Sequence, residues 1–183
     1  EEYHVVSVIG DGALTGGMAY EALNNAASLN KNFVIVLNDN KMSISENVGG
    51  ISSYLSNLRT AESYTDLKSE VKKTLNKVPG IGPVMVQRIH KTKDSIKQLM
   101  IPGMFFEDMG IKYLGPVNGH DCGRMIQVFQ EAKKVNGPVL VHVQTEKGRG
   151  YEPARKHPAR FHGTSAFNLE HGIPLKTGGK ANY

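Results

Sequence analysis

Apolar and polar positions along the first 40 residues follow the pattern of two strands joined by a helix. Residues 3–9, YHVVSVI, are rich in β-branched side chains and end at a glycine, which predicts a buried strand. Residues 16–29 carry small apolar side chains at helical spacing, which predicts a helix that packs closely on a sheet: Ala19, Ala22, Leu23 and Ala26. Residues 33–37, FVIVL, are uniformly apolar, as in a parallel strand covered on both faces. Together these elements predict a βαβ unit.

The rest of the chain predicts further helices and two more strands. Helices are expected where apolar residues recur at helical spacing: 51–58 within a polar loop over 41–63, then 66–77, 84–100 and a segment after Asp121. PGIGP at 79–83 separates two of them. Asp121 is a suitable N-cap for the last, whose apolar stripe consists of Met125, Val128, Phe129 and Ala132. Strands are predicted within 111–117 and over 138–145.

This order of elements predicts an α/β fold with a doubly wound, mostly parallel sheet and helices on both faces. Residues 1–150 form the α/β domain in this interpretation. The tail, 151–183, is rich in glycine and proline and has few bulky apolar residues, so we expect a lid or a linker there. In doubly wound sheets, ligands bind at the carboxyl ends of the strands.

The composition is that of an ordinary soluble globular protein, with 39% apolar and 21% charged residues. No apolar run approaches the ~20 residues of a membrane span, and a single cysteine, Cys122, fits a reducing cytoplasm. The net charge is +5, and its densest basic group falls on one predicted helix without interleaved aromatic residues: Arg88, His90, Lys91, Lys93 and Lys97. That favours a solvated helix face over nucleic-acid binding. Because the chain starts at Glu1 without a methionine, we expect it to be a piece of a larger protein.

The glycine-rich turn GDGALTGG, residues 10–17, raises a question of charge. It matches the dinucleotide pattern G-x-G-x-x-G poorly, because Thr15 stands at the third glycine position. Asp11 lies between Gly10 and Gly12, and a carboxylate within ~4 Å of a phosphate would repel it by about 4 kcal/mol at an effective dielectric constant near 20. A Mg²⁺ ion bound by Asp11 would remove this conflict, with backbone N–H groups at the helix start facing the phosphate.

A second oxygen-rich turn follows the next strand. Asn38, Asp39 and Asn40 come directly after FVIVL, and the ends of two strands in a βαβ unit lie side by side. Asn40 offers a side-chain oxygen, and Met42 offers a backbone carbonyl. Either turn alone is compatible with an ordinary Asx or glycine turn. Both together at strand ends favour a metal–diphosphate site.

GDG and NDN, separated by residues 13–37, form the motif of thiamine diphosphate enzymes, and the flanking sequence resembles 1-deoxy-D-xylulose-5-phosphate synthases. The resemblance rests on GDGALTGGMAYEALNNAA, LNDNKMSISENVGG, PGMFFEDMGIKYLGPVNGHD at 102–121 and KGRGYEPA at 147–154. It implies thiamine diphosphate and Mg²⁺ as cofactors, pyruvate and D-glyceraldehyde 3-phosphate as substrates, and a cytoplasmic homodimer. Residues 1–150 would then be the later part of the cofactor-binding domain.

The resemblance also implies roles for single residues. The implied metal ligands are Asp11, Asn40 and the Met42 carbonyl. The implied cofactor contacts are Gly12, Ala13, Asn40, Tyr151 and Lys147, and His162 in RFHG is implied in proton transfer. Family members are longer and carry further site residues in a second domain, so we expect the 183 residues alone to have little or no turnover.

The other histidines have structural interpretations, and three other functions remain open. His4 and His142 fall in predicted strands, His120 is placed to orient a loop, His90 lies on a charged helix face, and His157 and His171 are expected in solvent.

The first alternative function is that of a transketolase, which would share GDG and NDN but lack NKMSISEN. A Rossmann-type NAD oxidoreductase would need an acidic residue for the ribose and no metal. The third alternative is a fragment without enzymatic activity.

Overall fold

The computed structural model describes residues 3–43, 47–60 and 103–175, which surround a parallel sheet of four strands. The strands are β1 (Val6–Gly10), β2 (Phe33–Asp39), β3 (Lys112–Asn118) and β4 (Pro138–Gln144), and their order across the sheet is β1-β2-β4-β3. The predicted parallel sheet and βαβ unit are confirmed. The helices predicted over 66–77 and 84–100, the break at 79–83 and the basic residues from Arg88 to Lys97, with His90 among them, lie outside the described residues.

Five helices are described: α1 (Gly17–Leu29), α2 (Gly50–Thr60), α3 (Met104–Asp108), α4 (Cys122–Ala132) and α5 (Glu152–Lys156). A short 3-10 turn, Ala13–Thr15, precedes α1. The predicted short helix is α2, which extends two residues beyond its expected end. The predicted cap is also confirmed, because the Asp121 carboxylate accepts a hydrogen bond from the Arg124 N–H at 2.9 Å. None of these helices is long and apolar enough to span a bilayer.

Two apolar cores lie on opposite faces of the sheet, so the prediction of helices on both faces is confirmed. The first core joins the sheet to α1, α2 and α3 through Leu23, Ile35, Leu37, Leu55, Leu58, Phe106, Tyr113 and Leu140. The second joins it to α4 through Val34, Val36, Leu114, Val128, Ala132, Val139 and Val141. Each fully buried aliphatic side chain contributes about 1.5–3 kcal/mol to stability. The predicted stripe on α4 is confirmed by its place in the second core.

The prediction of a buried first strand is wrong. Val6 and Val8 are 54% and 70% exposed. The reason is that β1 lies at the edge of the sheet, while α4 packs on β3 and β4 at the other side. No element in the described ranges covers that face of β1. The strand also begins at Val6 instead of residue 3, so His4 lies before it and is exposed, and on α1 Ala22 is exposed as well.

The tail folds back on itself over residues 151–175. The rings of Tyr151, Phe161 and Phe167 form a cluster with centroids 5.2–5.8 Å apart, and the Tyr151 hydroxyl donates to the Leu169 carbonyl at 2.8 Å. Gly172 closes this unit, with a φ of 63° and no room for a side chain beside Pro153. His157 and His171 are exposed, as predicted. Whether 151–183 acts as a lid or a linker stays a prediction.

Candidate functional site

The two predicted turns contact each other at the carboxyl edge of the sheet. Gly10 pairs with Asn38 in the strand register, and the Asp11 N–H donates to the Asn38 carbonyl at 3.1 Å. A Cβ atom at Gly12 would lie only 2.8 Å from the Ser43 Cβ, so glycine allows the first turn to approach the loop after the second. The expectation that these strand ends lie side by side is therefore confirmed.

The Asp11 carboxylate lies inside this contact. The residue is only 1% exposed. Burial raises its pKa, and a hydrogen bond and the negative charge of Asp39 raise it further. The backbone N–H groups of Lys41 and Gly12 act in the opposite direction and offset only part of the rise. A carboxylate placed between the two turns in this way would gain from a nearby cation.

Asn40 and Met42 follow on the second turn. The Met42 N–H donates to Asn40 Oδ1 at 3.0 Å, and the Lys41 N–H donates to Asp39 Oδ1 at 3.3 Å, which makes two successive Asx turns. An amide oxygen has two acceptor positions, so Asn40 Oδ1 can accept this N–H and still bind a cation. Asn40 and Met42 flank Lys41, whose backbone N–H acts to lower the pKa of Asp11. Their assignment as metal ligands stays a prediction.

Arg59, which the sequence did not single out, is placed by α2 between two buried carboxylates. Its Nε–H donates to Asp39 Oδ2 at 2.6 Å, and its Nη2 donates to Asp39 Oδ1. The same Nη2 lies 3.5 Å from Asp11 Oδ2, and the arginine side chain is 12% exposed. The paired contact with Asp39 is the strong, two-pronged form of an arginine–carboxylate interaction. Asp11 receives the longer and weaker contact.

His142 completes the surroundings of Asp39. Its Nε2 lies 2.8 Å from Asp39 Oδ2, and neither side chain is exposed. Burial acts to raise the pKa of Asp39, but hydrogen bonds from His142 and Arg59 outweigh it and hold the pKa well below its usual range. Asp39 is therefore a buried, ionised carboxylate. Its neighbour Asp11 is the one whose ionised form is disfavoured.

Tyr113 binds the other nitrogen of His142. Its hydroxyl lies 2.7 Å from His142 Nδ1, and both residues are fully buried. Burial raises the pKa of Tyr113 far above its usual value, so the hydroxyl keeps its proton. Because ionised Asp39 can only accept, His142 Nε2 carries a hydrogen and donates it to Asp39. The structural role predicted for His142 is therefore to join Tyr113 to Asp39.

Lys147, which lies shortly before the tail, contacts both the loop after the second turn and the tail. Its Nζ donates to the Ser43 carbonyl at 2.5 Å and lies 2.9 Å from His162 Nδ1. Met42 and residues 156–160 line a cavity of about 400 Å³ nearby. Lys147 and His162 are therefore brought together beside the loop that follows NDN, whereas the Tyr151 ring packs within the tail.

His120 has the loop-orienting position that the sequence suggested. Its Nε2 accepts a hydrogen bond from the Glu146 N–H at 2.9 Å. Glu146 in turn pairs with Arg155 at 2.7 Å, and this pairing lowers its pKa. These contacts fix the backbone directly before Lys147.

Comparison with known proteins identifies the family of this chain. The family model described as 1-deoxy-D-xylulose-5-phosphate synthase matches residues 1–145. The chain belongs to the 1-deoxy-D-xylulose-5-phosphate synthase family. The synthase of Lachnoclostridium phytofermentans is 51% identical over 183 residues, which are 100% of this chain and 29% of that protein. The synthase of Desulfitobacterium hafniense is 55% identical over 176 residues, which are 96% of this chain and 28% of that protein.

A solved structure supports the fold of this synthase-family chain. Transketolase from Campylobacter jejuni superposes with a TM-score of 0.53 at 21% identity, over 86% of this chain and 18% of that one. At this identity the likeness concerns the fold alone. The chain spans less than a third of the length of its synthase relatives.

The residues at the sheet edge fit a divalent cation and a diphosphate. The buried Asp11 carboxylate lies beside Asp39 and receives only the longer Arg59 contact at 3.5 Å, so a hard cation bound through oxygen atoms would favour its ionised form. Oxygen donors from Asn40 and Met42 follow on the adjoining turn. The backbone at Gly12 and Ala13 carries no bulky side chain and opens a 3-10 turn beside Asp11.

Proposed function

We propose that this chain is part of a thiamine diphosphate-dependent transferase that condenses pyruvate, with loss of CO₂, with D-glyceraldehyde 3-phosphate to form 1-deoxy-D-xylulose 5-phosphate. Family membership supports this reaction. The observation that carries it is the position of the buried Asp11 carboxylate against the Asn40–Met42 turn. We also propose that the full-length protein is a cytoplasmic homodimer, which sedimentation of the purified protein would test.

The cofactor is held by the two turns in this proposal. Asp11, Asn40 and the Met42 carbonyl bind Mg²⁺, and backbone N–H groups at Gly12 and Ala13 meet the diphosphate. Asn40 contributes a second contact, and Lys147 neutralises negative charge from the side of the tail. Thiamine diphosphate supplies the electron sink that decarboxylation of pyruvate requires and that no side chain provides.

His162 is proposed to transfer protons to and from the substrate. The contact of Lys147 Nζ with His162 Nδ1 supports this role, because an ammonium group can only donate and so leaves the ring hydrogen on Nε2. The exposed side of the imidazole then carries an exchangeable proton. Tyr151 is proposed to approach the cofactor from the same tail.

The experiment uses the full-length protein with Mg²⁺ and thiamine diphosphate. We expect 1-deoxy-D-xylulose 5-phosphate to form from pyruvate and glyceraldehyde 3-phosphate, and we expect Asp11→Asn to reduce both turnover and Mg²⁺-dependent cofactor binding by at least about 100-fold. Asn25→Asp is a matched control, because Asn25 is exposed on α1. The isolated 183 residues should show little or no turnover.

The similarity in fold to transketolase makes that activity the second candidate. Preference for a ketose-phosphate donor over pyruvate would favour transketolase and contradict the synthase. Binding of NAD that survives in Asp11→Ala, together with no thiamine diphosphate binding in the unmodified protein, would instead support a Rossmann-type oxidoreductase.

A further inference from the structure

A row of polar side chains crosses the sheet diagonally on the face covered by α1, α2 and α3, from the carboxyl end of β1 to the amino-terminal half of β3. Its order follows the strands: Asp11 after β1, Asp39 at the end of β2, His142 in β4 and Tyr113 in β3, with Arg59 of α2 between the two aspartates. Asp11, Asp39, His142 and Tyr113 are at most 1% exposed. We call these five residues the polar row.

Hydrogen bonds join the members of the polar row one after another. The Tyr113 hydroxyl lies 2.7 Å from His142 Nδ1, and His142 Nε2 donates to Asp39 Oδ2 at 2.8 Å. Asp39 also accepts from Arg59, whose Nη2 reaches Asp11 at 3.5 Å. Because the groups that Arg59 and His142 contact are buried, removal of one partner leaves another buried and unpaired.

Asp39 links the polar row to the second turn. Its Oδ1 accepts the Lys41 N–H, while its Oδ2 accepts from His142 and Arg59. The backbone N–H of Lys41 also forms a hydrogen bond with the Asp11 carboxylate. A shift of Asp39 would therefore move the turn and the carboxylate together.

We propose that Tyr113, His142, Asp39 and Arg59 are positioning residues that fix Asp11 and the Asn40–Met42 turn for the divalent cation. This inference rests on the proposed function, because it assigns the polar row to the metal site of that function. None of the four touches the cation in this arrangement. Partners that orient metal ligands change metal affinity by about 10–100-fold when they are removed.

The competing explanation is that the row only stabilises the core. The Tyr113 ring does pack there, stacked on Phe106 with centroids 6.0 Å apart and planes 4° apart. The hydroxyl of Tyr113 and the two ring nitrogens of His142 are what a positioning role requires. A test must therefore separate loss of packing from loss of these polar atoms.

The experiment measures the Kd of Mn²⁺ for the full-length protein by electron paramagnetic resonance of the free ion, with saturating thiamine diphosphate. We expect His142→Leu to raise the Kd by about 10–100-fold and Tyr113→Phe by about 3–10-fold. His142→Gln keeps an N–H donor for Asp39 and should recover part of the loss. Phe106→Leu is the packing control, because it removes the ring stacked on Tyr113 but leaves every polar atom of the polar row in place, and it should lower the Tm with an unchanged Kd.

The outcomes distinguish this inference from the function on which it rests. If Asp11→Asn leaves the Mn²⁺ Kd unchanged, the proposed metal site is wrong, and the inference falls with it. If Asp11→Asn abolishes binding while Tyr113→Phe and His142→Leu bind as the unmodified protein does, only the positioning role is wrong. A Kd that rises in Phe106→Leu in proportion to its loss of Tm would also overturn it. Should His142→Leu fail to fold, Tyr113→Phe decides.

Discussion

At the scale of single residues, two adjacent carboxylates with equal burial have opposite environments. Asp11 and Asp39 are each 1% exposed. Asp39 has His142 and a two-pronged contact from Arg59, whereas Asp11 has the longer contact at 3.5 Å and a carboxylate beside it. Hence the pKa of Asp39 is lowered and that of Asp11 is raised. The proposed metal ligand is the carboxylate that the fold compensates less, which is common for functional sites.

This contrast predicts opposite effects of the same substitution on stability. Without metal, Asp11→Asn should raise the free energy of unfolding at pH 7.5 by about 0.5–2 kcal/mol, because it removes a buried negative charge that burial and Asp39 disfavour. Asp39→Asn should lower it by about 3–5 kcal/mol, because Arg59 loses a buried partner. Thermal unfolding of the protein in EDTA would measure both. Equal destabilisation by the two variants would contradict the assignment of charge.

The pH dependence follows from the direction of each pKa shift. Asp11 has a raised pKa in the folded protein, so its ionisation lowers stability as pH rises above the ordinary carboxyl value of 3.8. The advantage of Asp11→Asn should therefore grow from pH 4 towards neutrality. Asp39 has a lowered pKa, so its contribution is present above 3.8 and is lost as pH falls through its folded value.

At the scale of elements, all four strands could be predicted from the sequence, but the exposure of β1 could not. β2 and β4 are covered on both faces, so each has an uninterrupted apolar run that indicates its burial. β1 is also rich in β-branched residues but lies at the edge of the sheet, and its sequence does not indicate its place in the strand order. Arg59 could not be predicted as a partner of Asp39, because the pair is 20 residues apart and depends on how α2 packs. His142 was visible as the polar residue of an apolar strand, although its partners were not.

The close approach of the two turns makes a further prediction at this scale. Gly12 has helical backbone angles, φ −64° and ψ −41°, so any residue could adopt its conformation. Its Cβ, however, would collide with Ser43 at 2.8 Å. Gly12→Ala should therefore push the 40–43 loop away and weaken thiamine diphosphate binding by about 10-fold, roughly 1.4 kcal/mol. Calorimetric titration with saturating Mg²⁺ would measure this.

Gly17→Ala is the matched control for that variant. A Cβ at Gly17 meets nothing within 4 Å, and the residue begins α1, where alanine is a better helix former than glycine. Cofactor affinity should be unchanged and stability equal or slightly higher. Loss of affinity in Gly17→Ala equal to that in Gly12→Ala would refute the steric explanation.

At the scale of the whole molecule, the candidate site is assembled from two separate supports. Asp11 and the NDN turn are held by the sheet and the polar row. His162 is held by the tail, whose aromatic cluster is closed by Gly172, and Lys147 contacts it from the segment before the tail. The Lys147 contact with the Ser43 carbonyl joins the two supports. The sequence indicated the first support through its strand ends, but it gave no periodic pattern for the second.

Separate supports predict that damage to the tail should affect turnover without affecting the metal site. Gly172 has a φ of 63°, and its Cβ would lie 2.7 Å from the Pro153 Cβ and 3.0 Å from the Phe161 ring. Gly172→Ala should therefore displace Phe161 and the adjoining His162, and lower kcat of the full-length protein by about 10–100-fold. The Mn²⁺ Kd should change by less than about 2-fold, because Asp11 is held by the sheet. Gly163→Ala is the control, since a Cβ there meets nothing within 4 Å. A parallel loss of Mn²⁺ affinity and kcat in Gly172→Ala would mean that sheet and tail form a single support, and that the tail orders the metal ligands as well as the histidine.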